Sequence, residues 1–283
     1  MCTQGLHLPE TLLEQRILLR FNQGCIQYQR GKRIESRHIW HTVHQECMQI
    51  DNHPIQLRGL IESIRLEIES GRAQYQQHRV NACLSAHPHA EVHTTTNDST
   101  GNVQALCWNL ATQMASSRWA KKGFEVSSTP LNDRAKLALA RWYWLIGDLS
   151  KGWELLESQH HNYDGFHIQV EKVRFGLLLG HFTWALQQAQ YLQQHPLLTQ
   201  FVDLQLLLVL CIECLEFDQP ATLLTEELNH EWVEIYLGGL HLLALRKRLR
   251  SENNYDTLKI LKKRAQALNH KLYLALSEPA LYT

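Results

Sequence analysis

The stretch that decides the fold runs from Leu139 to Leu156, LARWYWLIGDLSKGWELL, and a related stretch, KVRFGLLLGHFTWALQQA, follows at residues 172–189. In each of them an apolar helical pattern is interrupted by a glycine and a polar residue, and a second helical pattern begins directly afterwards. Gly152 and Ala185, which occupy the same place in the two stretches, are 33 residues apart. A period in the mid-thirties that contains two helices is typical of stacked helical hairpins.

The first hairpin, over residues 136–159, carries a recognisable set of positions. They are Leu139, Ala140, Tyr143, Gly147, Asp148, Gly152 and Leu156. In these positions the hairpin resembles a tetratricopeptide repeat, although Lys136 stands where the family usually has Trp and Gly152 replaces the usual Ala. The second hairpin retains Gly180, Ala185, Ala189 and Pro196, and a weaker third copy retains little besides Ala221.

The resemblance implies an α-solenoid, a right-handed superhelix of αα-hairpins with a concave groove. Such surfaces generally bind peptides or partner proteins. Divergent repeats of this kind also occur in sensor domains of bacterial transcription activators and in signalling regulators, so the resemblance leaves adaptor and regulator as alternatives.

Helical periodicity continues on both sides of these hairpins, and no run alternates in the manner of a strand, which predicts an all-α fold. We divide the chain into N-terminal hairpins over 1–86, a polar linker over 87–102 and a repeat region over 103–283. Asn132-Asp133 and Thr199 are predicted helix N-caps. The predicted helices lie near 9–30, 34–50, 54–70, 72–85 and 103–120, and the predicted hairpins near 132–159, 166–195, 199–229 and 231–269.

Composition excludes several classes of protein. Hydrophobic residues make up 44% of the 283 residues, enough for a substantial core, and 28 basic residues balance 28 acidic ones, so net charge favours neither nucleic acid nor membrane. The start lacks a secretory pattern, and the apolar stretch Leu204–Leu215 is too short to cross a bilayer. Seven scattered cysteines favour a reducing cytoplasm.

Histidine and cysteine spacings offer weak indications of chemistry. His38, His41 and His44 recur at steps of three and precede Cys47 on a predicted helix, where adjacent members can share a metal but the whole set spirals away. We favour a partly exposed histidine-rich face over a metal site. The pair Cys211 and Cys214 is interpreted as two buried small hydrophobes. No phosphate loop, nucleophile elbow or dinucleotide turn is present, so we expect no catalytic site and no cofactor.

Aromatic residues near the hairpins are the candidate partner anchors, because tryptophan and tyrosine dominate binding hot spots. We select Tyr143, Trp144 and Trp184. Core packing remains the competing interpretation for each of them.

Charge is segregated along the last third of the chain. Residues 201–245 contain eight acidic residues and no Lys or Arg, whereas residues 246–271 contain nine basic residues and two acidic ones. The basic hairpin is interpreted either as a solvated capping repeat or as a surface that docks on the acidic hairpin, pairs with a second chain or holds an anionic ligand. The residues chosen for an anionic partner are Arg246, Arg250, Lys262 and Lys263.

These features together predict a non-enzymatic cytoplasmic scaffold that binds a protein or peptide in a repeat groove. The alternative is a regulator that contacts nucleic acid through the basic hairpin or through a partner. A histidine-ligated metalloenzyme is a third hypothesis. The sequence leaves the oligomeric state open, as it does the question of whether residues 1–86 continue the same superhelix.

Overall fold

The computed structural model describes residues 10–48, 53–90, 98–126, 131–158, 160–217 and 232–278. Within those ranges the chain forms fourteen α-helices, two short 3-10 helices and no strand, which confirms the predicted all-α class. The helices of the first half are α1 Glu10–Gln29, α2 Arg33–Cys47, α3 His53–Glu69, α4 Gln77–Ala90, α5 Asp98–Met114, α6 Ser117–Glu125 and α7 Asp133–Leu145. Those of the second half are α8 Leu149–Leu155, α9 Tyr163–Leu178, α10 Phe182–Gln193, α11 Val202–Leu215, α12 Val233–Leu249, α13 Tyr255–Ala267 and α14 Lys271–Leu276.

The two copies of the hairpin motif end their first helices in the same way. Gly147 and Gly180 have φ values of 84° and 78°, which glycine adopts without steric cost. Around Gly147, the backbone N–H of Asp148 donates to the carbonyl of Tyr143 at 2.9 Å. Around Gly180, the N–H of His181 donates to the carbonyl of Gly176 at 2.8 Å. Both are Schellman caps, so the sequence repeat corresponds to a repeated backbone structure.

The predicted small positions lie where the paired helices touch. Gly152 is buried against α7 and α9, and a Cβ placed there would lie 2.5 Å from Cε1 of Phe175. Ala185 and Ala189 on α10 are also buried, with 0% and 1% exposure. The third copy at Ala221 lies outside the described residues.

Several local predictions need correction. The helix expected near 103–120 is two helices, separated at Ala115, which has a φ of 51°. Thr199 is not a helix N-cap, because its hydroxyl donates to the carbonyl of Pro196 and α11 is preceded by Phe201. Asn132 is confirmed as the cap of α7, since its side chain accepts from the N–H of Ala135 at 2.9 Å.

The proposed linker is shorter than the range 87–102. Helix α4 extends to Ala90 and helix α5 begins at Asp98. The remaining residues, 91–97, lie outside the described part of the chain.

Residues on the two sides of this segment share one hydrophobic core. Ile17 and Trp40 from α1 and α2 belong to the same buried cluster as Phe166 on α9 and Leu207 on α11. Arg33 at the start of α2 lies inside this contact with 4% exposure, and its Nη2 is 3.0 Å from a carboxylate oxygen of Asp203. The N-terminal hairpin therefore packs directly against the repeat region.

Helices α7, α9, α12 and α14 surround a buried ionic centre. Arg174 on α9 is 1% exposed, and its Nη1 lies 2.9 Å from Oε2 of Glu171 and 3.1 Å from Oε2 of Glu234. Its Nη2 donates to the hydroxyl of Tyr273 on α14 at 2.8 Å. Arg141 on α7 adds a bond from Nε to Glu171 at 3.0 Å. Polar side chains thus hold α12 and α14 over α7 and α9.

Candidate partner-binding surface at the hairpin turns

A largely apolar cavity lies beside the two glycine turns. It has a volume of about 740 Å³ and is bounded by the ends of α7 and α9, the second half of α12 and helix α14. We call it the turn-end cavity. Its deeper wall includes Leu177, Leu272 and Leu276, which are at most 5% exposed, while Phe182 at its edge is 36% exposed.

Local sequence explains why this wall is aliphatic. Leu177 and Leu178 end α9 directly before the Gly180 turn, and hydrophobic contacts normally accompany a Schellman cap. Leu272 and Leu276 are four residues apart on α14 and therefore share one face of that helix. The turns and the short last helix together present side chains without hydrogen-bonding groups to the cavity.

Charge is nearly absent from the wall. His241 on α12 is 2% exposed, and burial, reinforced by the nearby Arg174, lowers the pKa of its imidazole to about 3. It is therefore neutral at pH 7. Arg248, in the last turn of α12, is exposed and is the one charged side chain among the described residues that line the cavity.

A second, shallower depression adjoins the cavity on the outer side of α8 and α10. It measures about 390 Å³ and is lined by Trp153, Trp184, His181, Thr183, Gly180 and Phe182. We call this surface the aromatic ledge. The rings of Trp153 and Trp184 meet edge to face at 4.7 Å, and His181 lies 5.5 Å from Trp153. Since Gly180 and Phe182 also line the turn-end cavity, the two depressions form one surface.

The three predicted aromatic anchors have different surroundings. Trp184 lies half-buried in the aromatic ledge, where an anchor is expected. Tyr143 is half-buried on α7, with the ammonium group of Lys151 5.7 Å from its ring. Trp144 is only 6% exposed and packs edge to face on Phe175 at 5.1 Å, so it is chiefly a core residue.

The four predicted basic residues do not form one exposed patch. Arg246 is 3% exposed and donates to the backbone carbonyls of Glu213 and Glu216, the latter at 3.0 Å. It therefore docks α12 against the end of α11 and offers little surface to a partner. The other three are at the surface: Arg250 pairs with Glu252 at 2.8 Å, Lys262 pairs with Glu278 at 2.8 Å, and Lys263 is exposed.

Two acidic residues of the described part of this stretch form buried ion pairs within the molecule. Asp203 pairs with Arg33, and Glu234 pairs with Arg174 in the ionic centre. The basic and acidic segments meet where Arg246 bonds to the end of α11 and where Arg264 lies 5.7 Å from the ring of Tyr236. Asp218, Glu226, Glu227 and Glu231 lie outside the described residues.

The histidine and cysteine positions show no metal-ligand geometry. No group of three His, Cys, Asp or Glu in the described ranges could hold a metal ion. His41 contacts Gln45 at 3.0 Å, and burial lowers the pKa of His44. Cys211 and Cys214 are fully buried, in agreement with their interpretation as small hydrophobes.

A polar cleft of about 380 Å³ lies on another face, between α1, α3 and the starts of α7 and α9. Nδ1 of His160 lies 2.8 Å from Oδ2 of Asp133, and the hydroxyl of Ser158 donates to that same oxygen at 2.7 Å. Cys25 lines this cleft too, but burial and the neighbouring Glu62 raise the pKa of its thiol to about 11. The thiolate needed for nucleophilic attack is thus disfavoured at neutral pH.

Sequence reasoning missed the ionic centre and the turn-end cavity. Burial alone raises the pKa of Glu171, but Arg141 and Arg174 outweigh that effect and hold it at about 2. The sequence does contain a signal for the ionic centre, since Arg141, Glu171 and Arg174 lie within apolar helices. Unpaired charges are almost never buried, so such residues indicate buried ion pairs.

No family model, curated protein or solved structure matches this chain. None of the helices in the described part of the chain has both the length and the apolarity that crossing a bilayer requires. A function is therefore inferred from the surfaces of the molecule itself.

Proposed function

We propose that this protein is a non-enzymatic scaffold that binds a segment of a partner protein on the aromatic ledge. The observation that carries the proposal is the cluster of half-exposed aromatic rings around Trp153 and Trp184, beside the exposed Phe182. Aromatic residues that line a concave surface are the typical centres of binding hot spots. We further propose that it acts in the cytoplasm, a location that the six unpaired cysteines of the described ranges support.

The proposed architecture is a stack of tetratricopeptide-like hairpins. The Schellman caps at Gly147 and Gly180, 33 residues apart, support it, as do the buried small residues Gly152 and Ala185. In this arrangement the ledge lies on second helices of neighbouring hairpins, α8 and α10. The inner side of the first helices, α7 and α9, is covered by α12 and α14 through the ionic centre.

The proposed partner segment has an apolar or aromatic side chain flanked by a carboxylate. The apolar side chain is expected to contact the edges of Trp153 and Trp184, where edge-to-face packing favours aromatic rings. The carboxylate is expected near Lys172, whose ammonium group lies 5.1 Å from the ring of Trp153. Lys172 is also paired with the exposed Glu157 at 3.2 Å, which a partner carboxylate can replace.

The test is quantitative affinity purification of the full chain from its native cytoplasm, with nuclease, followed by mass spectrometry. Wild type is compared with Trp184→Ala and Phe182→Asp, and with Tyr255→Ala as a control at an aromatic residue that is 61% exposed outside the ledge. We expect one partner that is retained by wild type and the control but reduced at least tenfold by both ledge variants.

Recovery of the same partners by all four proteins would contradict the proposal. Nuclease-sensitive recovery of nucleic acid, lost in Lys263→Gln but not in the ledge variants, would instead support the regulator hypothesis.

A further inference from the structure

We propose that the polar cleft between α1, α3 and the starts of α7 and α9 binds a small monocarboxylate that carries several hydroxyl groups, with its carboxylate on Arg58. The cleft shares no lining residue with the aromatic ledge or the turn-end cavity. The inference therefore stands independently of a protein partner. It rests on the charges and the hydrogen-bonding groups that the fold leaves available in the cleft.

The carboxylates that line the cleft are already engaged. Burial alone raises the pKa of Glu62, but Arg134 and Arg65 outweigh that effect and hold it at about 2. Arg134 also donates from Nε to Oδ2 of Asp164 at 2.8 Å. Asp133 has the two side-chain partners described above. These carboxylates are held by groups of the chain itself, and they disfavour more than one negative charge on a ligand.

Arg58 on α3 differs from these groups, because its guanidinium has no hydrogen bond or ion pair within the described residues. The side chain is exposed, and the guanidinium carbon lies 5.2 Å from the centre of the buried Phe21 ring. Contact with the face of a ring leaves the N–H groups at the guanidinium edge, so two of them can donate in parallel to one carboxylate. The cleft thus has a cationic group that is available to a ligand.

Three neutral side chains supply the remaining polar contacts. The side-chain oxygen of Asn102 accepts from the amide of Asn132 at 3.2 Å, and that of Asn162 accepts from the backbone N–H of Gly165 at 2.8 Å. Within the described ranges, the NH2 groups of Asn102 and Asn162 have no acceptor and can donate to a ligand. His160 donates from Nδ1 to the buried carboxylate beside it, so in the neutral imidazole Nε2 is an acceptor. Hydroxyl groups match this mixture, since each of them can both donate and accept.

The size and the charges of the cleft together select the class of ligand. A volume of about 380 Å³ lies at the lower end of the roughly 300–1,000 Å³ that is usual for small-molecule sites. A neutral polyol retains the hydroxyl contacts but lacks the charge-assisted bonds to Arg58. A dicarboxylate brings a second negative charge towards Asp133 and Asp164. A polyhydroxylated monocarboxylate is consequently the best match.

The experiment is isothermal titration calorimetry of the full chain with gluconate, sorbitol and glucarate, which have polyol chains of the same length and differ in their number of carboxylates. Salt at about 0.15 M screens unspecific attraction between exposed charges. We expect one gluconate bound per chain with a Kd of about 0.1–1 mM, and at least about tenfold weaker binding of both sorbitol and glucarate.

Variants locate the binding. Arg58→Gln is expected to weaken gluconate binding at least about tenfold. Arg118→Gln is the matched control, because Arg118 is exposed on α6 and does not line the cleft, and it should leave binding unchanged. Asn102→Leu replaces the amide by an apolar side chain of similar size and is expected to weaken binding about three- to tenfold. Folding of each variant is checked by circular dichroism and thermal unfolding.

The ledge variant Phe182→Asp is expected to bind gluconate as wild type does, which keeps this test separate from that of the proposed function. Three results would overturn the inference. They are the absence of saturable gluconate binding up to about 10 mM, equal gluconate affinity of wild type and Arg58→Gln, and binding of sorbitol or glucarate that is as tight as that of gluconate.

Discussion

Helix α9 passes through two regions that differ completely in character. Arg174 is held by carboxylates in the ionic centre, and Leu177, less than one turn later, faces the apolar turn-end cavity. Helix α12 shows the same division, with Glu234 in the ionic centre and Leu245 at the cavity. In the ionic centre, Nη1 and Nη2 of Arg174 donate hydrogen bonds to Glu171 and Tyr273, whereas the cavity has a volume of about 740 Å³ and a mostly aliphatic wall.

This difference indicates that the ionic centre and the turn-end cavity have separate roles. Charged groups that must be paired in a defined geometry fix how helices align, although they add little net stability relative to apolar packing. Aliphatic side chains impose no such geometry, so the same helices can leave room at their ends. We infer that the ionic centre sets the positions of the helices, while the turn end leaves the concave surface on which binding is proposed.

The largest loss of stability is expected when one member of the ionic centre is removed. Arg174→Met leaves Glu171 and Glu234 buried with Arg141 as the remaining one of their two arginine partners, and we expect a loss of about 3–5 kcal/mol in the free energy of unfolding, measured with urea. Arg250→Met, at an exposed position, is the control and is expected to cost less than about 0.5 kcal/mol. A loss below about 1 kcal/mol for Arg174→Met would contradict the importance of the ionic centre.

Acid should weaken the same region in a defined pH window. Burial lowers the pKa of His241 to about 3 and that of His270 to about 4, from an ordinary value of 6.5. The unfolded chain therefore takes up protons near pH 6.5 that the folded protein does not, and stability falls as the pH drops from 6.5 towards 4.

The two imidazoles are each expected to cost about 2 kcal/mol, so the free energy of unfolding should fall by on the order of 4 kcal/mol between pH 7 and pH 5. His270→Gln removes one titrating group and should flatten this dependence. If stability stayed constant down to pH 4.5, the carboxylates and not the imidazoles would control acid unfolding.

At the turn end, a smaller effect is expected from the glycine caps. Gly180→Ala introduces a Cβ that meets no atom within 4 Å, so its cost is purely that of a left-handed backbone at φ 78°. We expect a loss of about 1–2 kcal/mol on thermal unfolding. Gly147→Ala is the matched variant, since its Cβ also meets nothing, and it should cost the same. Clearly unequal losses would show that the two turns are not equivalent.

The smallest effect should have the opposite sign. Ala275→Phe fills part of the turn-end cavity, and we expect it to raise the free energy of unfolding by about 0.5–1 kcal/mol. Ala267→Phe, at an exposed position on α13, serves as the control and should have no measurable effect. Destabilisation by Ala275→Phe would mean that the cavity is too narrow to accept additional atoms.

Local patterns in the sequence were sufficient to predict most of the helices and several of their ends. The glycine turns, the Asn132 cap and the small positions of the second helices depend on neighbouring residues, so their patterns could be recognised directly. The prediction that Thr199 is an N-cap was wrong because capping depends on where the helix begins. A 3-10 turn intervenes, and α11 begins at Val202.

Long-range partners could not be predicted from one sequence. Arg174 and Tyr273 are 99 residues apart, and nothing near either residue indicates the other. For the same reason Arg246 was assigned to an exposed patch, although its partners are carbonyls at the end of α11, 30 to 33 residues earlier. The turn-end cavity likewise depends on how α14 packs against α12, which spacing alone does not encode.

The contact between Arg33 and Asp203, 170 residues apart, has a consequence for biosynthesis. At about 5–20 residues per second, roughly ten to thirty seconds separate the emergence of these two residues from the ribosome. During that interval α1 and α2 lack the surface of α9 and α11 on which they pack in the finished molecule. The apolar faces of α1 and α2 therefore lack that cover for this interval, and nascent chains are expected to depend on chaperones at that stage.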